Sequence, residues 1–226
     1  DPRLRRAGPL LFVRGLRPDR FEKARASGAD GVILDLEDAV PAPDKDEARH
    51  HVAPWIGHDG VVVRINDANS AAFDADLEML AGRRAAVMLA KAESPAQVER
   101  VRRALAPGSA ILPLIESAAG VLDSRDILAA DGVVRGALGG VDLATQLGIT
   151  DPASPTLTWA SAAVVTAAAA AGIAAPLASP SLHIGAPERV LADCRVERSL
   201  GFGGKLCIHP AQIESAHAAF AHGDED

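Results

Sequence analysis

Tyrosine is absent from this chain, and there are only two Trp and five Phe among 226 residues. So few rings exclude the stacking platforms that hold single-stranded nucleic acids. A net charge of -7 removes the attraction for a phosphate backbone, so no nucleic-acid partner is expected. Cysteine is nearly as scarce. Cys194 and Cys207 lack ligand-like spacing, which leaves no disulfide framework and makes a cytoplasmic location the default. The sequence opens at Asp1 without Met, and no signal peptide is visible. Long apolar runs are missing except for an Ala-rich stretch from Trp159 to Leu177, which Ser161, Thr166, Gly172 and Pro176 interrupt. Alanine is barely hydrophobic, so this stretch reads as a close-packed helix followed by a strand, and no membrane partner is expected. A Gly-x-Gly-x-x-Gly after the first strand is also lacking, which argues against an open dinucleotide-binding sheet.

What is present centres on Val32-Ile33-Leu34-Asp35-Leu36-Glu37-Asp38-Ala39-Val40. Its apolar, β-branched start reads as a buried strand. Its end carries three carboxylates within four positions. Side chains alternate along a strand, so Asp35 and Glu37 share one face if the strand extends that far. Carboxylates this close repel and call for a cation: a metal, Lys or Arg.

Seven further stretches have the same character: Pro9–Gly15, Gly60–Asn66, Ala85–Ala90, Ser109–Ile115, Val133–Leu138, Ile173–Leu177 and Lys205–Ile208. Helical patterns separate them, at about Pro18–Ser27, after Asp44, at Ser70–Leu80, after Ser94-Pro95 to Leu105, and at Ala118–Ala129, Thr156–Ala171, Glu188–Leu200 and Ala211–Phe220. Asp44 and Ser94 suit helix N-caps. Eight strand-helix units in one chain predict a closed (β/α)8 barrel of the TIM type, a single domain spanning 1–226.

The strand ends then carry Arg14, Asp35 with Glu37 and Asp38, Arg64, Lys91, Glu116, Asp142 and His209. In a barrel these share the C-terminal rim, where sites of this fold are built. Glu116 and Asp142 follow neighbouring strands and suit Mg2+, with waters and a substrate completing the shell. Arg64 suits a substrate carboxylate through a bidentate pair. Each residue also has a plainer reading. Glu116 or Asp142 could cap a helix, and Arg64 could neutralise Asp35 or Glu37. Lys91 reads as an ion-pair lysine ahead of a Schiff-base lysine, and His209 as a satisfied buried histidine.

Leu11-Phe12-Val13-Arg14-Gly15-Leu16-Arg17-Pro18-Asp19-Arg20 with Lys23, and Ile33 to Val40 with Lys45, Ala48 and Arg49, resemble the citrate lyase β-subunit-like proteins of the HpcH/HpaI aldolase superfamily. The resemblance continues through Val63-Arg64-Ile65-Asn66, Lys91-Ala92-Glu93-Ser94, Ile115-Glu116-Ser117, Gly140-Val141-Asp142-Leu143 and Lys205 to Pro210. It implies a (β/α)8 barrel binding Mg2+ through Glu116 and Asp142. It further implies a carbon-carbon lyase that cleaves a citryl-CoA or malyl-CoA type thioester to acetyl-CoA and a 2-oxo acid, or runs the reverse condensation. Arg64 matches the family's carboxylate-binding arginine. Arg14, Gly140 and Val141 join it as substrate-binding candidates, and Arg17, Lys23 and Lys45 are candidates for the CoA phosphates. Glu37 and Asp38 are, with Arg64, the catalytic candidates, and Asp35 is a further possible base. The resemblance also implies a homotrimer or hexamer.

The chain departs from the family pattern in places. Arg14 stands where Pro is usual, Ala90 stands where Pro is common, and residues 178–183 lack aspartates often found there. Related lyases continue into a C-terminal segment that in some brings a catalytic aspartate to a neighbouring subunit. No such segment is visible, so it is absent or lies outside this sequence. Two other readings stay open: an aldolase cleaving a free 4-hydroxy-2-oxo acid, and a non-catalytic oxo-acid-binding scaffold subunit.

Overall fold

The computed structural model describes residues 2–221. Eight parallel strands close into a barrel: β1 Pro9–Arg14, β2 Gly31–Asp35, β3 Val61–Ile65, β4 Ala86–Leu89, β5 Ala110–Ile115, β6 Arg135–Leu138, β7 Ala174–Ala178 and β8 Gly204–Cys207. Each pairs with the next, and β1 pairs with β8. The expected (β/α)8 barrel is therefore the fold. Side-chain alternation divides the core into two shells. Leu10, Ile33, Val62, Met88, Leu112 and Leu177 belong to the cluster inside the barrel. Leu11, Leu34, Val63, Val87, Ile115 and Ala178 pack outward against the helices. The register aligns Arg14 with Asp35 and Asp35 with Arg64, so these three stand side by side at the rim.

Several expected boundaries shift. The organising stretch is strand only to Asp35, and Glu37 and Asp38 lie in the loop beyond it. The expected helix 118–129 is two helices, Ala118–Leu122 and Ser124–Leu128, because Asp123 leaves helical geometry (φ -94, ψ 5). A helix at Gly140–Leu147 lies outside the helical patterns read from the sequence, and Asp142, a possible cap, sits in its first turn while Gly139 takes the N-cap. Asp44 stands at the N-cap of helix Lys45–Val52, but its side chain makes no capping hydrogen bond. Ser94 and Pro95 do open helix Pro95–Ala104, with Gln97 Oε1 accepting the Ser94 N–H.

Helix Pro2–Arg6 was not expected. Leu4 joins the interior cluster, so this helix stoppers the end of the barrel opposite the rim. Arg135, buried at the base of β6, donates to the carbonyls of Leu4, Ala7 and Ala175. Burial pushes its pKa down to about 10. A fixed guanidinium there ties the stopper to the strands. No helix of the described residues is long and apolar enough to cross a membrane.

Candidate active site

The rim is built on Arg64. Its Nε and Nη2 donate to Oδ1 and Oδ2 of Asp35, both at 2.7 Å, and its Nη1 lies 3.1 Å from Glu37 Oε2. The guanidinium stacks over Phe12, 4.8 Å from the ring centroid. Burial works to lower its pKa, but the Asp35 hydrogen bonds and the charges of Asp35, Glu37 and Glu116 outweigh it and hold it raised. The bidentate edge expected to meet a substrate carboxylate is thus engaged by Asp35. This is the neutralising role that sequence also allowed, and it removes Asp35 from the candidate bases. The strand stops short of Glu37, so the shared strand face conditional on its extension does not form. The Glu37 N–H instead donates to Asp35 Oδ1, and both carboxylates still reach Arg64.

Glu37 is buried and bonded on both oxygens. Oε1 accepts from Lys91 Nζ at 2.7 Å, and Oε2 accepts the Asp38 N–H at 2.8 Å. Burial is the largest influence on Glu37 and leaves its pKa raised. Asp38, with its side chain 53% exposed, is the open member of the pair. Burial pushes its pKa up, but the hydrogen bond with Glu37 and the nearby Lys91 and Arg64 charges bring it below the ordinary value.

Lys91 sits at the end of β4 in the left-handed region (φ 47), which a side chain rarely adopts. From there its N–H donates to Glu116 Oε1 at 2.8 Å while its ammonium holds Glu37, with Asp38 at 3.5 Å. Burial opposes the charge, but Glu37 and its neighbours keep the pKa raised. Lys91 is an ion-pair lysine, and a Schiff base would need it neutral.

Glu116, 3% exposed, has its pKa pushed up to about 8, chiefly by burial. The Lys91 N–H and Arg64 act against that rise, while Glu37 and Asp142 add to it. Gly139 makes room for it, because a Cβ there would lie 2.6 Å from Glu116 Oε2. Asp142 occupies the first turn of helix Gly140–Leu147, where the helix dipole favours its charge. No group of three or more His, Cys, Asp or Glu forms a metal cage among the described residues. Two carboxylates, one buried and lacking a cation of its own, fit a hard divalent ion that keeps waters and ligand oxygens.

Other candidates meet mixed outcomes. Lys45 is withdrawn from the phosphate set: its Nζ donates to Leu36 O, Glu37 O and Asn66 Oδ1 at 2.6–2.7 Å, which uses all three protons. Burial lowers its pKa. Arg17 is paired with Asp19 at 2.7 Å, and Lys23 lies exposed on helix Phe21–Arg25. The Gly140 N–H is taken by Ser179 Oγ at 2.7 Å, which leaves Val141, 43% exposed, as the open position of that turn. Arg14 is exposed at the end of β1. His209 is exposed rather than buried, and its Nδ1 accepts the Ala211 N–H.

Three residues that position the rim were missed. Asp76, fully buried, bonds the N–H and side chain of Asn66 and pairs with Arg49 at 2.7 Å. The signal was a carboxylate on the apolar face of helix Phe73–Leu80. Gln212 donates to Ser181 O and His183 O and accepts from Ile208 N, joining the loops after β7 and β8. Ser179 bridges Gly140 N and Leu138 O.

A closed barrel with an acidic, cation-seeking pocket at its strand ends defines the class of protein. Residues 9–210 match the HpcH/HpaI aldolase/citrate lyase family, and the chain belongs to it. It is 38% identical over 231 residues to a citrate lyase subunit beta-like protein of Mycobacterium tuberculosis, covering 98% of this chain and 82% of that protein. A (3S)-malyl-CoA thioesterase of Cereibacter sphaeroides is 32% identical over 218 residues, 94% of this chain and 76% of the relative. The M. tuberculosis protein CitE, solved with magnesium, acetoacetate and coenzyme A, superposes with a TM-score of 0.84 at 34% identity, over 98% of this chain and 84% of that one. The citrate lyase beta subunit of that organism, complexed with oxaloacetate and magnesium, gives the same score and identity over 97% and 99%.

Proposed function

We propose that the chain is an Mg2+-dependent carbon-carbon lyase acting on a hydroxyacyl-CoA thioester of the citryl-CoA or malyl-CoA type. The products are acetyl-CoA and a 2-oxo acid, and the reverse condensation uses the same groups. The observation that carries this is the buried Glu116 beside Asp142, a carboxylate site short of positive charge. The relatives' magnesium and oxo-acid complexes support the choice of ion and acid.

Glu116 and Asp142 would hold Mg2+, which when bound supplies a Lewis acid for the carboxylate and adjacent oxygen of the acid. Arg64, fixed by Asp35, places positive charge against the oxo-acid half as the bond breaks. The Glu37–Asp38 pair takes the hydroxyl proton, with Asp38 as the accessible oxygen and Lys91 holding Glu37 in place. The carbon-carbon electron pair passes to the acetyl thioester as an enolate, which then takes a proton. Arg17 and Lys23 serve the CoA phosphates. Two free, buried cysteines accord with a cytoplasmic protein. Exposed Leu122 and Trp159, flanking a groove of about 410 Å³, support assembly as a trimer or hexamer.

A second reading, cleavage of a free 4-hydroxy-2-oxo acid to pyruvate and an aldehyde, gains from Lys45, whose commitment elsewhere thins the basic set for CoA. The test is to incubate the protein with Mg2+ and citryl-CoA, malyl-CoA or a 4-hydroxy-2-oxo acid and to assay acetyl-CoA and oxo acid. Acetyl-CoA released from a thioester supports the proposal. Turnover of the free acid alone favours the second reading. Turnover of neither favours the non-catalytic scaffold.

A further inference from the structure

The cations at the rim are unequally engaged. Arg64 gives its bidentate edge to Asp35, Lys91 holds Glu37, and Lys45 is locked on two carbonyls and Asn66. Arg14 differs: it makes no side-chain hydrogen bond or ion pair with the described residues and is exposed. It continues the inward series Leu10, Phe12 of β1, and its Cα is in register with Asp35. Its guanidinium therefore emerges at the mouth of the barrel beside the Asp35–Arg64 pair, with its donor fork open.

The mouth is otherwise acidic. Asp35, Glu37, Asp38, Glu116 and Asp142 meet Arg64, Lys91 and Lys45 there, and all three cations are already committed to groups of the chain itself. A monocarboxylate oxo acid anchored by its carboxylate and oxo group needs nothing more. A dicarboxylate would bring a second negative charge into an acidic mouth, and that charge needs a cation with a free fork.

We propose that Arg14 is a specificity-determining residue that binds the distal carboxylate of a dicarboxylic oxo acid, and that this chain therefore selects dicarboxylic over monocarboxylic oxo acids. The inference rests on the metal and oxo-acid site proposed above. It adds which acid the site takes and which residue reads it.

The test is calorimetric titration of the intact protein, in excess Mg2+, with oxaloacetate and with pyruvate, for the wild type, Arg14→Leu and Arg14→Lys. The side chain is exposed and makes no hydrogen bond or ion pair with the described residues, so both variants should fold, and circular dichroism checks this. The wild type should prefer oxaloacetate. Arg14→Leu should weaken oxaloacetate by about 10- to 100-fold and leave pyruvate unchanged, and Arg14→Lys should recover part of the loss. Equal loss for both acids, or a preference that survives Arg14→Leu, overturns the inference. If the wild type binds both acids equally, the inference falls and the proposed site stands. If Arg14 governs oxaloacetate binding but no thioester is cleaved, the inference stands and the proposed reaction falls. Binding of neither acid overturns both.

Discussion

The backbone N–H of Lys91 donates to Oε1 of Glu116 across 2.8 Å, and it does so from a left-handed backbone, φ 47. One residue thereby orients the buried carboxylate through its main chain and holds Glu37 through its side chain. The two roles separate by substitution. Lys91→Gly suits the left-handed backbone and keeps the N–H, so Mg2+ affinity should persist while turnover falls. Lys91→Ala should be less stable than Lys91→Gly by about 1 kcal/mol. Denaturation midpoints and Mg2+ titrations of both variants check this, and equal stability would show that the backbone there is unstrained.

Glu116 should make metal binding depend on pH. Its pKa is pushed up to about 8 by burial, and a protonated carboxyl does not ligate. Mg2+ binding should release a proton and tighten as pH rises toward and through 8, then level off. The linkage to folding has the opposite sense. A carboxyl whose folded pKa is raised from 4.5 contributes stability fully present below 4.5 and lost as pH rises through about 8. Metal-free protein should weaken across that window, and Mg2+ should restore stability at its upper end. Thermal denaturation against pH, with and without Mg2+, reads both effects, and Glu116→Gln should flatten them.

Gly139 leaves no room for a methyl group, since a Cβ would stand 2.5 Å from the Glu116 Cβ and 2.6 Å from its Oε2. Gly139→Ala should displace the carboxylate and lower Mg2+ affinity by about 10- to 100-fold. The fold should survive, because the crowding is confined to the rim. Calorimetry beside a circular dichroism spectrum decides the matter, and undiminished affinity would remove Glu116 as the ligand.

Lys45→Met should cost about 2–3 kcal/mol of stability, because the carbonyls of Leu36 and Glu37 and the Asn66 side chain lose their donor. Arg17→Ala with Lys23→Ala should leave stability almost unchanged and raise KM for a CoA thioester alone. Chemical denaturation and steady-state kinetics separate the two outcomes. A CoA-specific KM effect from Lys45→Met, without loss of stability, would return that lysine to the phosphate set.

The strands were legible because most are short apolar runs with a charged residue at or shortly past their ends, β7 being the exception, and the barrel follows from their count. The carboxylates of the rim were legible for the same reason. What escaped depends on contacts remote in sequence. Arg135 reaches the Leu4 carbonyl 131 positions away, and nothing local marks Pro2–Arg6 as its partner. Lys45 carries the right charge near the right rim, but after the turn at 42–44 its ammonium folds back onto the Leu36 and Glu37 carbonyls of the loop that follows β2. Arg64 was found with Asp35 or Glu37 as its possible partner, and the register that sets Asp35 opposite it decides which of them takes the bidentate edge.

The measurement that bears most directly on the metal and oxo-acid site is a calorimetric titration of oxaloacetate into the purified protein, first with Mg2+ and then with EDTA, repeated on Glu116→Ala. The account predicts binding that requires Mg2+ and disappears in the variant. Binding that persists in EDTA or in Glu116→Ala would contradict it, as would no binding under either condition.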